Sequence, residues 1–271
     1  YYYILYFLQF LLQTNGFILK LSILIIAHNE ESNLHDCIKT CLSADEIIIV
    51  LDKTTDNSKK VIERFDVKLY EGEWLMEGKR RNFGLSKCKG DWVLEVDADE
   101  RLSPNLLKEI RERIIAAEPG YFLVPFENYI GKKLIKYGWG ASWGVSMAPR
   151  LSYKGKKIWN EKQRIHPSII LKGKKHILQN YIVHYVDKDL NDMVLRLIRY
   201  SNSKAEDIVA NNLKIPSFWI TVRRALSRFF KCYISRKGYK EGKWGFIIAL
   251  MAFMYIILSY SKADLERKNY K

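Results

Sequence analysis

Three apolar runs, Leu21-Ser-Ile-Leu-Ile-Ile-Ala27, Glu46-Ile-Ile-Ile-Val-Leu51 and Trp92-Val-Leu-Glu-Val96, constrain this chain more than any other feature. None alternates regularly between apolar and polar residues. Each therefore reads as a strand buried on both faces, the pattern of a parallel sheet covered by helices. Between the first two runs, Leu34, Cys37, Ile38, Cys41 and Leu42 repeat at helical spacing. A second helix is expected from near Asp56 to Phe65 and a third after Gly78. Beyond the third run, Ser103 is a good N-cap with Pro104 in the first helical position, and Leu107, Ile110 and Ile114 continue one apolar face. The β-α-β-α order predicts an α/β fold with a mainly parallel, Rossmann-like sheet flanked by helices.

In open sheets of that kind, ligands bind outside the carboxyl ends of the strands. His28, Asn29 and Glu30 end the first run, Asp52 the second, and Asp97 and Asp99 the third. Three successive strands ending in acceptors point to a site. Single members have plainer readings: Asp56 as a helix cap, Glu30 or Glu31 as a complement to a helix N-terminus. The Asp97-Ala-Asp99 pair suits a metal-diphosphate. A hard divalent ion such as Mg²⁺ or Mn²⁺ needs only one or two protein carboxylates when phosphates and waters complete its shell. A D-x-D triplet alone is common in solvated turns, and it is the strand end before it that selects the metal reading.

Four ordered segments, Ile25-Ile-Ala-His-Asn-Glu-Glu31, Val50-Leu-Asp-Lys-Thr-Thr-Asp56, Gly78-Lys-Arg-Arg-Asn-Phe-Gly84 and Val96-Asp-Ala-Asp-Glu100, resemble the successive motifs of family 2 inverting glycosyltransferases with the GT-A fold. The likeness runs from about Leu21 to Arg150 and leans toward lipopolysaccharide-core β-glucosyltransferases and related envelope-polysaccharide enzymes. Farther on it rests on Arg164-Ile-His-Pro167, Ile182-Val-His-Tyr185 and a basic, apolar C-terminal segment. The resemblance implies that Asp52, with the loop Ala27, His28, Asn29 and Glu30, lines the nucleotide pocket. It implies that Asp97 faces the ribose or a metal-bound water, and that Asp99 holds the ion. Arg81 and Asn82 match the family's Arg-Asn pair, and Lys79, Arg80 and Arg81 can offset phosphate charge, the alternative being a solvated helix face.

The implied reaction is single displacement at the anomeric carbon of a nucleotide-diphosphate sugar, with inversion. It needs a Lewis acid on the leaving diphosphate and a general base on the acceptor hydroxyl. Pro167 stands where a base carboxylate would be convenient, so the candidates are Glu161, Glu127 and His166. His166 reads alternatively as a structural residue before a turn, and His184 as a core or cap residue. Either histidine is also a possible further metal ligand. Gly138-Trp-Gly-Ala-Ser-Trp-Gly144 reads either as a sugar-stacking lid or as a core-covering loop.

With 271 residues, the chain suits one GT-A domain and a helical appendage: an apolar extension over 1–20, the catalytic domain over 21–187 and a C-terminal region over 188–271. The extension lacks the basic leader of a signal peptide. Cys37, Cys41, Cys88 and Cys232 lack metal-site spacing and read as free thiols of a reducing cytosol. The net charge of +15 concentrates its excess in the last third. There Trp219, Val222, Leu226, Phe229, Phe230 and Tyr233 form an apolar stripe beside Arg223, Arg224, Arg228, Lys231, Arg236 and Lys237, the pattern of an interfacial helix. The uncharged stretch Trp244 to Tyr260 just reaches the lower limit of about 17 residues for a span. It is expected to lie in the cytoplasmic leaflet, with a true span or a soluble core helix as alternatives. The expected partners are a nucleotide sugar, a lipid-linked saccharide acceptor and the cytoplasmic membrane surface, with no nucleic acid. The rival readings are a sugar-phosphate nucleotidyltransferase, disfavoured by the lack of a Gly-rich loop after the first strand, and a non-catalytic basic membrane or nucleic-acid binder.

Overall fold

The structure is a computed structural model describing residues 19–140, 143–162 and 167–269. Residues 1–18 of the N-terminal extension, and His166, lie outside the described residues. The first half alternates as expected: β1 (Leu21–Ala27), α1 (Glu31–Cys41), β2 (Glu46–Asp52), α2 (Ser58–Ile62), β3 (Lys68–Gly72), α3 (Glu77–Lys87) and β4 (Trp92–Asp97). α2 is shorter than its apolar spacing suggests, because the chain turns at Phe65 toward β3. β5 (Glu100–Leu102) and α4 (Leu106–Ala116) follow. α4 starts later than the Ser103-Pro104 signal implied. The Ser103 carbonyl accepts from Leu106 N, while its buried hydroxyl has no hydrogen-bond partner.

The remaining strands are β6 (Gly120–Ile130), β7 (Lys133–Ile135), β8 (Met147–Tyr153), β9 (Lys157–Trp159), β10 (Ile169–Leu171), β11 (Lys174–Ile177) and β12 (Ile182–Asp187). The main sheet runs β3-β2-β1-β4-β8-β6-β12-β5, with β7 and β11 also on β6, while β9 and β10 form a separate pair. The β3-β2-β1-β4 half is parallel, and its register places Ile26 beside Asp97, Ala27 beside Leu51 and Asp52 beside Gly72. The carboxyl ends of these strands are therefore level, which brings distant polar residues to one edge. β8 reverses direction against β4, so the second half of the sheet is mixed. β1 is buried along its whole length, packed on one face by α1 and α4 residues such as Leu34, Ile38 and Ile110.

After β12 the chain is helical: α5 (Leu190–Ala210), α6 (Phe218–Phe230) and α7 (Lys243–Asn269), with short turns of π- and 3-10 helix between α6 and α7. α7 is longer than the uncharged stretch predicted and packs on both α5 and α6. It is long and apolar enough to cross a membrane by length and composition, yet 33% of its most apolar window is buried. Ile248, Ala249, Ala252 and Tyr255 form a core with Met193 and Leu197 of α5 and with Trp139 and Trp143. Gly245 permits the close start of α7, since a Cβ there would lie 1.8 Å from the Gly238 carbonyl oxygen.

That core decides between the two readings of the Gly-Trp loop. Trp139 and Trp143 are 4% and 1% exposed, and Trp139 Nε1 donates to the Ile135 carbonyl at 2.7 Å. They anchor the helical unit to the sheet, so neither is a lid. All four cysteines are buried free thiols.

Candidate active site

The loops after β1 and β2 brace each other. Asn29 takes the left-handed conformation (φ 54°), a region Asn tolerates better than most residues. Its side-chain oxygen accepts from Thr55 N at 2.8 Å and Asp56 N at 3.3 Å. Glu31 N donates to Asp56 at 3.0 Å, and Asn57 N donates to Glu31 at 2.8 Å. Asp56 also accepts from Ser58 N at the start of α2, although the N-cap position itself falls on Asn57. His28 and Asn29 are exposed, whereas Ala27 is buried. His28 Nδ1 lies 2.7 Å from the Asp52 carbonyl oxygen. The Asp52 carboxylate, nearly buried, accepts from Trp74 N at 3.0 Å and from Arg80 at 2.6 Å.

Beneath the edge lies a buried charge network. Asp97 accepts from Arg150 Nη2 at 2.5 Å and from Arg81 Nη2 at 3.3 Å. Burial alone would raise the Asp97 pKa, but Arg150 and Arg81 reverse the balance and hold the carboxyl well below the ordinary range. Arg150 also contacts Glu100, whose other oxygen accepts from Asp97 N at 2.8 Å. Burial, only partly offset by Arg150, pushes Glu100 up to about 7. Arg81 binds Glu77 at 2.8 Å and stacks on Trp159, whose indole donates to Glu95 at 2.9 Å. The fully buried Glu95 pairs with Lys157, and desolvation carries that lysine down to about 8.

Asp99, Glu100 and His184 bring ligand atoms within 4.8 Å of one another, forming an acidic and imidazole group that could hold a metal ion. His184 Nε2 lies 3.5 Å from Asp99, and Nδ1 lies 3.0 Å from Asn128 Oδ1. Burial disfavours the imidazolium, but the facing Asp99 outweighs it and raises the His184 pKa. The β6–β12 register creates this arrangement by placing His184 beside Asn128, and β5 pairs His184 with Glu100. Asp99 opens into a cleft of about 450 Å³ shared with Asn29, Glu30, Lys188, Asp192 and Arg199. Burial, helped by Asp99 and Asp97, raises the Glu30 carboxyl.

The donor set fits a divalent ion. Asp99 and His184 face each other at the cleft, and a carboxylate beside an imidazole suits Mn²⁺ better than the strictly oxygen-loving Mg²⁺, with phosphate and water completing the shell. Glu100 is already engaged by Arg150 and by a backbone amide, so it is the weakest of the three donors.

The other expected site residues are dispersed. Asn82 bridges α3 to β9: its amide donates to the Trp159 carbonyl and to Glu161, both at 2.9 Å, and its oxygen accepts from Trp159 N. Gly78 permits this approach, since a Cβ there would sit 2.0 Å from the Asn160 carbonyl oxygen. Glu161 is exposed. Glu127 accepts from the Tyr129 hydroxyl at 3.4 Å and lies outside the Asp99–Glu100–His184 group. The sequence reading missed Arg150 and Asn128, which reach the site through strand pairing, and Lys157, whose side chain reaches Glu95 from the separate β9–β10 pair. Glu100 stood inside the D-x-D segment but was not singled out.

A mixed sheet with its polar edge at the carboxyl ends of parallel strands, a D-x-D strand end and a flanking helical unit define a nucleotide-sugar transferase of the GT-A class. The sequence pattern described as Glycosyl transferase family 2 matches residues 22–171, and the chain belongs to that family. An uncharacterised glycosyltransferase of Rickettsia conorii is 27% identical, covering 92% of this chain and 93% of its own. The lipopolysaccharide core biosynthesis glycosyltransferase LpsC of Rhizobium meliloti is 24% identical, covering 90% of this chain and 92% of its own. Residues 1–349 of S. aureus TarS superpose with a TM-score of 0.50 at 14% identity, covering 92% of each chain, a likeness of fold. Family membership sets aside the nucleotidyltransferase reading.

Proposed function

We propose that the protein is an inverting hexosyltransferase that moves a sugar from a nucleotide-diphosphate sugar to a lipid-linked saccharide of the cell envelope, working on the cytoplasmic membrane surface. The grouping of Asp99, Glu100 and His184 at the sheet edge of a family 2 chain carries this reading. The similarity to LpsC supports an envelope saccharide as acceptor, and the UDP complex of TarS supports a nucleotide donor.

In this reading the braced loops after β1 and β2 form the wall for the nucleoside, with Asp52 and Arg80 at its base. Asp97, ionised by Arg150 and Arg81, faces the ribose side. Asp99 and His184 would hold the divalent ion, with Asn128 fixing the imidazole. Bound there, a divalent ion would supply Lewis-acid stabilisation of the departing diphosphate. Glu161, exposed and held by the side-chain amide of Asn82, is the carboxylate assigned to take the acceptor proton. The outward apolar residues of α6 and the basic residues among them would rest the helical unit on the bilayer.

Thermal-shift and turnover measurements against UDP-, GDP- and dTDP-sugars, with and without Mn²⁺, test the function. The expected outcome is stabilisation and slow donor hydrolysis by one nucleotide class, dependent on the metal. Indifference to every nucleotide sugar, or full activity in EDTA, would refute it.

A further inference from the structure

The helical unit contains a groove that the transfer reaction does not use. Arg223 and Ser227 of α6 and Lys231 just past its end follow one another at i, i+4 and i+8, and Arg224 and Arg228 form a second i, i+4 row beside them. These five side chains line one wall of a groove of about 440 Å³, and Ile256 and Tyr260 of α7 line the other. Thr221 and Ala225 are buried on α6, whereas Trp219, Leu226 and Phe230 are exposed. α6 thus has three faces: one packed, one outward and apolar, and one basic and grooved.

The charge in the groove is uncompensated. Among the described residues, none of Arg223, Arg224, Arg228 and Lys231 forms an ion pair, whereas Arg81, Arg111, Arg150 and Arg196 all do. Four cations in one concave site, without a carboxylate, are complementary to an anion bearing several acceptor oxygens. Arg forks match phosphate geometry, and the hydroxyls of Ser227 and Tyr260 add donors. The neighbouring apolar face, with Trp219 at 76% exposure and Phe230 at 52%, indicates where that anion comes from. A soluble phosphate has no use for such a surface, whereas a phospholipid presents its phosphate at the depth where the apolar side chains enter the bilayer.

We propose that the α6–α7 groove is a discrete seat for the phosphate of an anionic lipid headgroup, with a phosphomonoester preferred because it brings more charge and more acceptors. The seat rests on the membrane-surface reading above but goes beyond it. Diffuse attraction to a charged leaflet depends on total charge and is screened by salt, whereas a seat depends on which cations are present and saturates.

Vesicle flotation of the full-length chain tests the seat. Three vesicle types are compared: phosphatidylcholine alone, the same with phosphatidylglycerol, and the same with phosphatidic acid at matched surface charge. One variant carries Arg224→Gln and Arg228→Gln. A charge-matched control carries Lys214→Gln and Lys237→Gln, which flank α6 outside the groove. Circular dichroism checks that both fold. The seat predicts the tightest binding to phosphatidic acid, a loss of about tenfold or more in the groove variant, and a markedly smaller loss in the control. It also predicts that inorganic phosphate, at the same concentration as the lipid phosphate, does not release the protein. Donor hydrolysis should be unchanged in both variants. Equal losses in the two variants, no preference for phosphatidic acid, or full release by inorganic phosphate would overturn the seat while leaving membrane association standing. Wild type that binds no vesicle would overturn both.

Discussion

The guanidinium of Arg150 on β8 lies 2.5 Å from the carboxylate of Asp97 at the end of β4, and the same nitrogen touches Glu100. One buried cation from the mixed half of the sheet thus bridges two acids from the D-x-D segment of the parallel half. Asp97 is ionised because of it, and the edge that carries Asp99 is held in place by it.

Arg150→Met should therefore be strongly destabilising. Removing one partner of a buried ion pair costs roughly 3–5 kcal/mol because the remaining charge is left uncompensated. Urea denaturation should show this loss, with Arg150→Lys between the two. A change no larger than the about 1 kcal/mol typical of exposed pairs would mean that water reaches the network.

Asp99→Asn should leave the fold intact, because this side chain lies at the cleft and supports no core contact. Mn²⁺ binding, followed by paramagnetic resonance, should weaken by more than tenfold, since even outer-shell changes commonly cost ~10–100-fold. Wild-type affinity in this variant would remove Asp99 from the metal site.

Asn128→Ala should act through His184. Without its oxygen, the imidazole loses the contact at Nδ1 that orients Nε2 toward Asp99. Metal affinity should fall by ~10–100-fold while UDP affinity in the absence of metal stays constant, as calorimetry would show. Equal loss of both would indicate a general collapse of the edge.

A chain ending at Gly242 should be poorly soluble. It would lack Ile248, Ala249, Ala252 and Tyr255, leaving Trp139, Trp143, Met193 and Leu197 without cover. Light scattering should detect aggregation. A monomeric, cooperatively melting truncation would show instead that α7 is an add-on to an already complete fold.

The parallel half of the fold was legible because β1, β2 and β4 are buried on both faces and read as unbroken apolar runs. Their ends named Asp52, Asp97 and Asp99 directly. The mixed half was not legible. β6 mixes buried and half-exposed residues over Gly120–Ile130, and Arg150 meets Asp97 across 53 positions with no local signal. Trp139 and Trp143 lay between glycines, a pattern shared by mobile lids and packed loops, and only the arrival of α7 decided between them. His184 was read as a core or cap residue or a further metal ligand, but its partner Asn128 follows from the β6–β12 register alone.

The side chain of Asn29 ties the β1 loop to the backbone of Thr55 and Asp56, and Glu31 and Asp56 add two return bonds. Neither loop can open without breaking bonds to the other, so the amides of Glu31, Thr55, Asp56 and Asn57 should exchange their hydrogens in one concerted event with a common protection factor. A ligand arriving at this edge meets loops whose conformational entropy was already lost when the protein folded, and less of its binding energy goes into ordering them.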